Sequence, residues 1–570
     1  LGERRIIHYP QKRIIGLYVN YMQQRITINL NTDSKTTDKT TILEYCRSHG
    51  IAGIETPCGG KGTCGKCKVT VIKPYYKDVL ACQTKICDGM EIIVGKKEST
   101  GTGTGTAGQD IQTASNARYS IDKEDSMVVL TNGGSISEKF NEHVNRNVVL
   151  NEDTLAACDI GTTTVVCYLI DKETGQIIST RSGANPQRSF GADVLSRIDA
   201  AARADDNDKA NGGLQMMQTQ IVSLLNGWIS EMLTECGRTK VSRFSVAGNT
   251  VMCHLLMGIS PEKLGKAPFM PDEYFGRKFN PLDIGLENCQ TMIIFPDVSG
   301  FVGGDITAGM METVNCNELT LYLDIGTNGE MALGIGDRYV CCATAAGPAF
   351  EGSQIELGMP ASKGAVDKVW LEGRRIKYSV IGNDRPVGLC GSGLIDALAV
   401  LLKAGIIDEN GTILSGQELP ILFRSYVFEV EAEETAQSTE SSLAVHIAPG
   451  VYITQEDIRK LQLAKGAIAA GIEVLFKEYG CTPCNIDVLT FAGGFGNYID
   501  KASAAAIGLF PQELLDKAKE VGNAAGNGAV SAALSQEAWE RALEISGNMR
   551  YIELASYPHF NEMYVEHMNF

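Results

Sequence analysis

The chain has 570 residues, 44% of them hydrophobic, with 61 glycines and a formal net charge of −17 at pH 7. This length can bury the cores of two to four domains, and the acidic balance argues against nucleic-acid binding, which depends on a basic surface. No apolar run approaches the roughly 18 residues that a membrane span needs, so we expect no membrane partner. The 17 scattered cysteines suit reduced thiols and a metal site in a cytoplasmic protein better than a disulfide framework.

Residues 1–21 (LGERRIIHYPQKRIIGLYVNY) form a basic leader that lacks the apolar core and the cleavage site of a secretory signal. Met22 stands just before the first predicted strand, at residues 25–30. We therefore expect the leader to be either upstream translation or a cloning addition, without a function of its own.

Residues 22–97 form the first predicted domain and hold four cysteines in the spacing C-x5-C-x2-C-x14-C: Cys58, Cys64, Cys67 and Cys82. Thiolates at these intervals, with glycines between them that let backbone amides point at sulfur, are what an iron–sulfur cluster needs. Zinc is the competing prediction, but structural zinc favours two CxxC pairs and this stretch has one.

The glycine-rich first loop and the Leu-Ala-Cys-Gln sequence around Cys82 resemble [2Fe–2S] ferredoxins, closer to the vertebrate type than to the plant type. This resemblance implies a ferredoxin-like β-grasp domain in which the four cysteines are the cluster ligands. Cys87 is an alternative fourth ligand. Cys46, on a helix predicted at residues 41–49, is expected in the core.

Residues 98–153 are predicted to be a linker, because residues 99–109 (STGTGTGTAGQ) alternate glycine and threonine without charged or large apolar side chains. Such a tether lets an electron-carrying head move between two partners. A passive join between fused domains is the alternative.

The remainder, residues 154–570, is organised around two copies of Asp-Ile-Gly-Thr that begin at Asp159 and Asp324. Each copy follows one β-prone run and precedes a second, which ends in a turn before a third. Strand, Asp-Ile-Gly-Thr, strand, turn and strand, stated twice, predicts two similar half-domains facing each other, at about 154–318 and 319–570.

Asp-x-Gly-Thr suits a phosphate clamp, because the glycine lets amides approach phosphate oxygens and the carboxylate can hold Mg²⁺. Residues 491–500 (FAGGFGNYID) add a β-run into a glycine-rich turn where a flat purine can lie against bare backbone. The three motifs resemble the phosphate-1, phosphate-2 and adenosine motifs of the acetate kinase, sugar kinase, Hsp70 and actin superfamily. The resemblance implies ATP in a cleft between two RNase-H-like lobes of an α/β domain.

The motifs assign a role to each candidate residue of the cleft. Asp159 and Asp324 are expected to organise Mg²⁺ and the attacking water, and Glu330 is a further candidate for orienting that water. The expected phosphate-binding residues are Gly161, Thr162, Thr163, Gly326, Thr327 and Asn328. The expected nucleoside-binding residues are Gly493, Gly494 and Asn497.

Five other polar residues each have a structural and a functional interpretation. Asp193 and Arg197, at i and i+4 on a predicted helix, are most simply a surface ion pair, although an arginine near a phosphate cleft can also serve it. His254 lies in an apolar helical stretch and is expected to be a core histidine rather than a ligand. Glu351 and Ser392 sit in loops that enter helices, where capping is expected before ligand contact.

A vertebrate-type ferredoxin domain followed by DIGTTTV, LDIGTNGEM, AGPAFEG, GLCGSGLID and FAGGFGNYID resembles the reductive activators of corrinoid proteins, from Arg25 to the end. That family includes the activating enzymes of methyltransferase and O-demethylase systems. The resemblance implies an ATP-hydrolysing reductase that passes one electron from a [2Fe–2S] cluster to cob(II)alamin in a partner corrinoid protein, regenerating cob(I)alamin. An upstream electron donor would refill the cluster.

Two further expectations come with this resemblance. Ser353, in the loop after AGPAFEG, is a candidate contact to the corrinoid, because a neutral oxygen donor near cobalt can alter its axial ligation. The linker has about 57 residues, at 97–153, which is fewer than relatives with a separate middle domain need. We therefore predict a short-linker version of the family.

Three other functions are compatible with the same motifs. One is an activator of 2-hydroxyacyl-CoA dehydratases, although that family holds a [4Fe–4S] cluster between two subunits and has no ferredoxin domain. Another is a kinase with an appended redox domain, which would make a phosphorylated small-molecule product. The third is a plain electron carrier whose nucleotide fold is vestigial.

Overall fold

The computed structural model describes residues 24–28, 40–48, 54, 67–73, 77–87, 90–94, 154–203, 212–326, 328–430, 442–493 and 499–570. The chain divides into two compact units, one drawn from the first 103 residues and the other containing everything from Thr104 to Phe570. The predicted linker lies outside the described residues, as does the leader.

The N-terminal unit is a four-stranded sheet with one described helix. Its strands lie in the order β1-β4-β2-β3, and all three neighbouring pairs are antiparallel. Apolar side chains of α1 and of the inner strands form its core, with Ile42, Val71 and Ile92 fully buried. The elements are β1 (Gln24–Ile28), α1 (Ile42–Ser48), β2 (Lys68–Lys73), β3 (Lys77–Leu80) and β4 (Met90–Val94).

The first lobe of the second unit is built on a six-stranded sheet in the order β7-β6-β5-β8-β10-β9. Strand β5 is buried along almost its whole length, as expected for a central strand covered on both faces. The elements are β5 (Thr154–Ile160), β6 (Thr164–Asp171), β7 (Ile177–Ala184), α2 (Val194–Ala202), α3 (Gly213–Glu235), β8 (Val241–Gly248), α4 (Thr250–Met257), β9 (Arg277–Phe279), β10 (Met292–Ile294) and α5 (Gly304–Thr313).

The second lobe repeats this arrangement in a six-stranded sheet of order β21-β20-β11-β12-β13-β22. The elements as far as α7 are β11 (Thr320–Ile325), β12 (Gly329–Ile335), β13 (Arg338–Thr344), β14 (Ala365–Glu372), β15 (Arg375–Val380), β16 (Gly388–Leu389), α6 (Gly391–Lys403), β17 (Val427–Val430), β18 (Ser442–Ala448), β19 (Val451–Thr454) and α7 (Gln455–Tyr479). The rest are β20 (Val488–Ala492), α8 (Lys501–Ala506), β21 (Ala518–Glu520), α9 (Ala524–Leu534), α10 (Gln536–Gly547), β22 (Met549–Tyr551) and α11 (Phe560–Glu566).

The pairing of the strands confirms the predicted repeat. In the first lobe β5 pairs antiparallel with β6 and parallel with β8, and β6 continues into a hairpin with β7. In the second lobe β11 pairs in the same way with β12 and β20, and β12 continues into a hairpin with β13. In each lobe, the Asp-Ile of the motif therefore forms the end of a central strand, and the glycine follows it.

Helices α5 and α9 pack between the two sheets in a shared apolar core. They approach closely, since a Cβ atom added to Gly528 would lie 2.2 Å from the carbonyl oxygen of Ala308. Helix α9 also contacts β5 and β8, so a late segment of the chain covers the first sheet. Two small sheets, β15-β14-β16 and β17-β18-β19, are added to the second lobe.

Helix α7 has clear boundaries. Thr454 and Asp457 form a reciprocal capping box at its start, and Gly480 ends it with a φ of 80°. In the part of the chain that the structure describes, every helix is too short or too polar to traverse a lipid bilayer.

Candidate functional site

The first Asp-Ile-Gly-Thr loop is held by its carbonyl oxygens. The side-chain amide of Asn185 donates to the carbonyl of Gly161 at 2.8 Å, and the backbone N–H of Asn185 donates to that of Thr163 at 2.9 Å. The guanidinium of Arg197 donates to the carbonyl of Thr162. In a trans peptide the next N–H points away from the carbonyl. The amides of Thr162 and Thr163 therefore point away from the side chains of Asn185 and Arg197 and are candidate donors to a phosphate.

Arg197 is not the surface residue that we predicted. Its side chain is 0% exposed, and its Nε donates to the carbonyl of Gly191 at 3.0 Å. Burial lowers its pKa to about 9. Asp193 is instead the N-cap of α2, because its carboxylate accepts from the N–H of Ser196 at 2.7 Å. The predicted surface ion pair is therefore wrong, and the i, i+4 spacing concealed a helix cap and a buried arginine that supports the loop.

Three aspartates from separate elements influence one another's ionisation. The pKa of Asp159 is raised to about 7 and that of Asp324 to about 8, mainly by burial and then by the neighbouring carboxylate of Asp305. Asp159 also raises the pKa of Asp324. Asp305 itself, in the first turn of α5, has a pKa raised by burial to about 6. The ends of β5 and β11 thus lie near the start of α5.

Glu330 belongs to the same acidic group. It is buried on β12, and its pKa is raised well above the ordinary value by burial and then by Asp305 and Asp324. The side chain of Asn328 hydrogen-bonds Glu330, and the carbonyl of Asn328 accepts from the N–H of Gly326 at 2.9 Å. Thr327 lies outside the described residues.

Asn523 is a site residue that the sequence did not reveal. Its side chain hydrogen-bonds Asp159, lies 3.4 Å from the hydroxyl of Tyr168, and accepts from the N–H of Gly526 to cap α9. Asn523 therefore links the first aspartate to the helix that covers the first sheet. An asparagine three residues before a glycine in an alanine-rich stretch signals a cap and gives no sign of this contact.

Gly493 comes close to the second aspartate. A Cβ atom added there would lie 2.3 Å from Oδ1 of Asp324, and the residue has a φ of +84°. Only glycine accepts both conditions without strain. The other two candidate nucleoside contacts, Gly494 and Asn497, lie outside the described residues.

Glu351 and Ser353 are separated by one residue in a loop of the second lobe. Both carboxylate oxygens of Glu351 lie 3.4 Å from the hydroxyl oxygen of Thr163 in the first lobe. Ser353 is half-buried in the turn after the 3-10 helix Pro348–Glu351.

Two of the residues with open interpretations have structural roles. Ser392 donates to the carbonyl of Asp367 at 2.8 Å within the fold. His254 is 0% exposed, and its Nδ1 lies 2.8 Å from the carbonyl oxygen of Thr250. Burial lowers the pKa of His254, so it is the core histidine that we predicted.

The acidic group fits a divalent cation. The charged neighbours that raise the pKa values of Asp159 and Asp324 are other carboxylates, so ionising the group costs free energy unless a cation compensates it. Carboxylates together with water and phosphate oxygens are the ligands that Mg²⁺ prefers. The residues present are therefore suited to Mg²⁺ carried by a nucleotide.

Two of the four candidate cluster cysteines are described, and their sulfur atoms lie together. Cys67 precedes β2 and Cys82 follows β3; their Sγ atoms are 3.2 Å apart and both are free thiols. Two thiolates on one tetrahedral metal ion are separated by roughly 3.8 Å at metal–sulfur distances near 2.3 Å. The pair fits two ligands of one ion. Cys58 and Cys64 lie outside the described residues.

The two competing cysteines of this unit differ from that pair. Cys87 is exposed, and among the described residues the sulfur contact of Cys67 is with Cys82 and not with Cys87. Cys46 is buried on α1 as predicted, and burial raises its pKa to about 12, as in a core thiol.

Three family profiles match successive parts of the chain. The "2Fe-2S iron-sulfur cluster binding domain" matches residues 28–87, and the "RACo middle region" matches residues 155–315. The "C-terminal domain of RACo the ASKHA domain" matches residues 318–570. The middle-region profile covers the first lobe, so this region is present in the chain, after the predicted linker. The profiles confirm the predicted fold class of a ferredoxin-like domain joined to a domain of the kinase, Hsp70 and actin superfamily.

Individual relatives agree with these profiles. The chain is 31% identical to the corrinoid activation enzyme RamQ of Eubacterium limosum, over 94% of this chain and 97% of RamQ. It is 26% identical to the [Co(II) methylated amine-specific corrinoid protein] reductase of Methanosarcina barkeri, over 62% of this chain and 65% of that protein. A solved structure of a reductive activator for a corrinoid, iron–sulfur protein is similar at a TM-score of 0.63 and 30% identity, over 94% and 96% of the two chains. The chain therefore belongs to the family of reductive activators of corrinoid proteins.

Proposed function

We propose that this protein reductively activates a corrinoid protein of a methyltransferase system, using ATP hydrolysis to drive one electron from a [2Fe–2S] cluster to cob(II)alamin. The observation that carries the ATP-dependent part is that Asp159 and Asp324, in two equivalent strand ends, both lie close enough to Asp305 at the start of α5 for its charge to raise their pKa values. The kind of partner is inferred from the names of the relatives, which act on corrinoid proteins.

In the nucleotide cleft the loops have complementary tasks. The outward amides of Thr162 and Thr163, together with the Thr163 hydroxyl, donate to phosphate oxygens. Asp159 and Asp324 hold Mg²⁺ directly or through water, and Glu330 orients the attacking water. Gly326, Thr327 and Asn328 complete the phosphate site, and Gly493, Gly494 and Asn497 border the nucleoside.

In the N-terminal unit Cys58, Cys64, Cys67 and Cys82 hold the cluster. When bound, the cluster supplies one electron at a time, received from an upstream donor. The 98–153 linker allows this unit to approach first the donor and then the corrinoid protein.

A nucleotide-driven conformational change can supply the free energy that the electron transfer needs. The reduction potentials of plant-type [2Fe–2S] centres are about −400 mV, and those of other types are often higher. An acceptor with a lower reduction potential than the cluster cannot be reduced by it without an input of free energy. Each 100 mV uphill costs about 2.3 kcal/mol for one electron. If the potential of the acceptor is about 100–200 mV below that of the cluster, the transfer costs about 2–5 kcal/mol. A ligand that shifts a two-state equilibrium from 1:99 to 99:1 supplies roughly 5.5 kcal/mol, which is enough to cover this cost.

Ser353 is our candidate for the contact to the corrinoid. It follows directly on the loop that carries Glu351, whose carboxylate lies at the phosphate-binding threonine. A hydroxyl presented to cobalt would change its axial ligation, and so its reduction potential, in step with the nucleotide cleft.

The test is to mix the protein with a reductant, MgATP and a corrinoid protein in the cob(II) state, and to record visible spectra. We expect the cob(I) band to appear with MgATP and to be absent with ADP. Electron paramagnetic resonance of the reduced protein excludes the dehydratase-activator alternative if the signal comes from two irons. A phosphorylated small-molecule product would instead support the kinase alternative.

A further inference from the structure

The side chain of Glu351 lies close to both Asp-Ile-Gly-Thr loops, which we call the first and second phosphate loops. Its carboxylate lies 3.4 Å from the hydroxyl of Thr163 in the first loop. A Cβ atom added to Gly326 in the second loop would lie 3.8 Å from Oε1 of the same side chain. The buried guanidinium of Arg197, behind the first loop, is close enough for Glu351 to stabilise its charge. The glutamate therefore places a negative charge where the phosphates of a nucleotide would be bound.

The contact with Thr163 can be exchanged easily. At 3.4 Å it is at the long end of hydrogen-bonding distance, where the interaction is weak. A phosphate oxygen would use the same hydroxyl in a shorter, charge-assisted bond, and two anions at one donor repel each other. Binding of a nucleotide must therefore displace the Glu351 carboxylate from Thr163.

The turn that follows Glu351, residues 352–358, is compact. A Cβ atom added to Gly358 would lie 2.1 Å from the carbonyl oxygen of Gly352, so the two ends of the turn touch. Inside it, Ile355 is buried, and the N–H of Gly358 donates to the carbonyl of Ile355 at 3.2 Å. Ser353 belongs to this turn.

The far side of the turn is hydrogen-bonded to the start of α7. The N–H of Glu356 donates to the capping residue Asp457 at 2.9 Å, and Lys460 donates to the carbonyl of Gln354 at 2.8 Å. Helix α7 in turn packs closely on the strand after the second phosphate loop, since a Cβ atom added to Gly329 would lie 3.0 Å from Ile468. The turn is thus connected to the second loop through α7 and to the first loop through Glu351.

We propose that Glu351 is a positioning residue that reports nucleotide binding to the 352–358 turn: it holds Thr163 when the cleft is empty and is displaced by phosphate. This inference rests on the proposed function and adds the element that couples the cleft to the surface offered to the corrinoid protein. The turn then has two positions, one for each state of the Glu351–Thr163 contact.

The experiment compares wild-type protein with Glu351→Gln, using the full chain loaded with cluster. Glu356→Gln is the matched control, because it removes the same charge from the same loop, where Glu356 accepts from the hydroxyl of Tyr452 at 2.5 Å. The first measurement is the dissociation constant of MgAMPPNP, a non-hydrolysable ATP analogue. The second is hydrogen exchange of residues 348–358 with and without the analogue. Neither measurement involves a corrinoid protein.

We expect Glu351→Gln to bind the analogue more tightly, by about tenfold, because the competing charge is gone. We also expect its 348–358 segment to exchange at the same rate with and without the analogue, whereas the analogue changes that rate in wild type and in Glu356→Gln. Unchanged or weaker binding by Glu351→Gln, or a wild-type-like exchange response, overturns the proposal while the ATP site stands. If wild type itself binds no analogue, both this inference and the proposed function fail.

Discussion

The guanidinium of Arg197 donates a hydrogen bond to the carbonyl oxygen of Thr162 from a fully buried position. Thr162 lies in the first Asp-Ile-Gly-Thr loop. Arg197 holds the backbone of the loop, and the peptide that it holds presents the N–H of Thr163 in the opposite direction.

Replacing Arg197 tests whether its hydrogen bond to the loop matters for nucleotide binding, whereas replacing an exposed arginine of the same lobe tests the effect of losing a positive charge. We expect Arg197→Met to lower the free energy of unfolding by about 1–3 kcal/mol, because the carbonyl of Thr162 loses its donor. Nucleotide affinity should fall by at least about tenfold. Chemical denaturation and calorimetric titration with MgADP measure the two effects. Arg181→Met, which breaks a partly exposed ion pair with Glu235 in the same lobe, is the control and should leave nucleotide affinity unchanged.

Gly493→Ala tests the close approach of Gly493 to the second aspartate. The added Cβ would lie 2.3 Å from Oδ1 of Asp324, and the φ of +84° adds strain of about 1–2 kcal/mol. We expect nucleotide binding to be lost. Gly480→Ala, with a φ of +80° and open space around its Cβ position, should be similarly strained yet bind nucleotide normally. Equal affinities in the two variants would contradict the steric explanation.

The acidic group predicts opposite pH dependences with and without ligand. Asp159 and Asp324 have folded-state pKa values of about 7 and about 8, above the ordinary 3.8. An acid whose pKa is raised by folding favours the folded state below its ordinary pKa. That stabilisation is lost as pH rises through the folded value. Without ligand, thermal stability should therefore fall between pH 5 and pH 8. Affinity for MgATP should instead rise over this range, by about tenfold, because Mg²⁺ binds the ionised carboxylates.

Asp305→Asn provides the matched variant for this prediction. Asp305 is the charged group that contributes most to the raised pKa values of both aspartates, so its removal should lower them. We expect the ligand-free variant to be more stable than wild type at pH 8 and its pH dependence to be flatter. ATP hydrolysis should decrease. A pH profile identical to that of wild type would show that the three carboxylates do not interact.

The cluster ligands can be tested by comparing two cysteines of the same segment. Cys82→Ser should lose the visible absorption and the reduced-state paramagnetic signal of a [2Fe–2S] centre, because Cys82 lies 3.2 Å from Cys67. Cys87→Ser should keep both, since Cys87 is exposed. If the cluster survives in Cys82→Ser and is lost in Cys87→Ser, the fourth ligand is Cys87 and not Cys82.

The sequence predicted the parts of the cleft that depend on short-range pattern. Asp159 and Asp324 each follow a β-prone run and precede a glycine, and a strand end followed by a turn is visible in one window of residues. Their meeting followed from the repeat, because equivalent loops of two similar halves face each other.

The contacts that the sequence missed are those between distant segments. Asn523 reaches Asp159 from a helix near the end of the chain, and Arg197 reaches Thr162 by burying a charge that helical spacing assigns to solvent. Asp305, in the first turn of α5, reaches both aspartates from a segment that lies between them in sequence and next to neither. In each case tertiary packing decided the role of the side chain.

Whether the nucleotide cleft drives the electron transfer is decided by measuring ATP hydrolysed and cob(I) formed in the same reaction, with wild-type protein and with Asp324→Asn. We expect cob(I) to accumulate in wild type in proportion to the ATP consumed. We expect Asp324→Asn to lose both activities and to keep its [2Fe–2S] spectrum. Formation of cob(I) by Asp324→Asn at the wild-type rate, without hydrolysis, would show that the cleft does not drive the transfer.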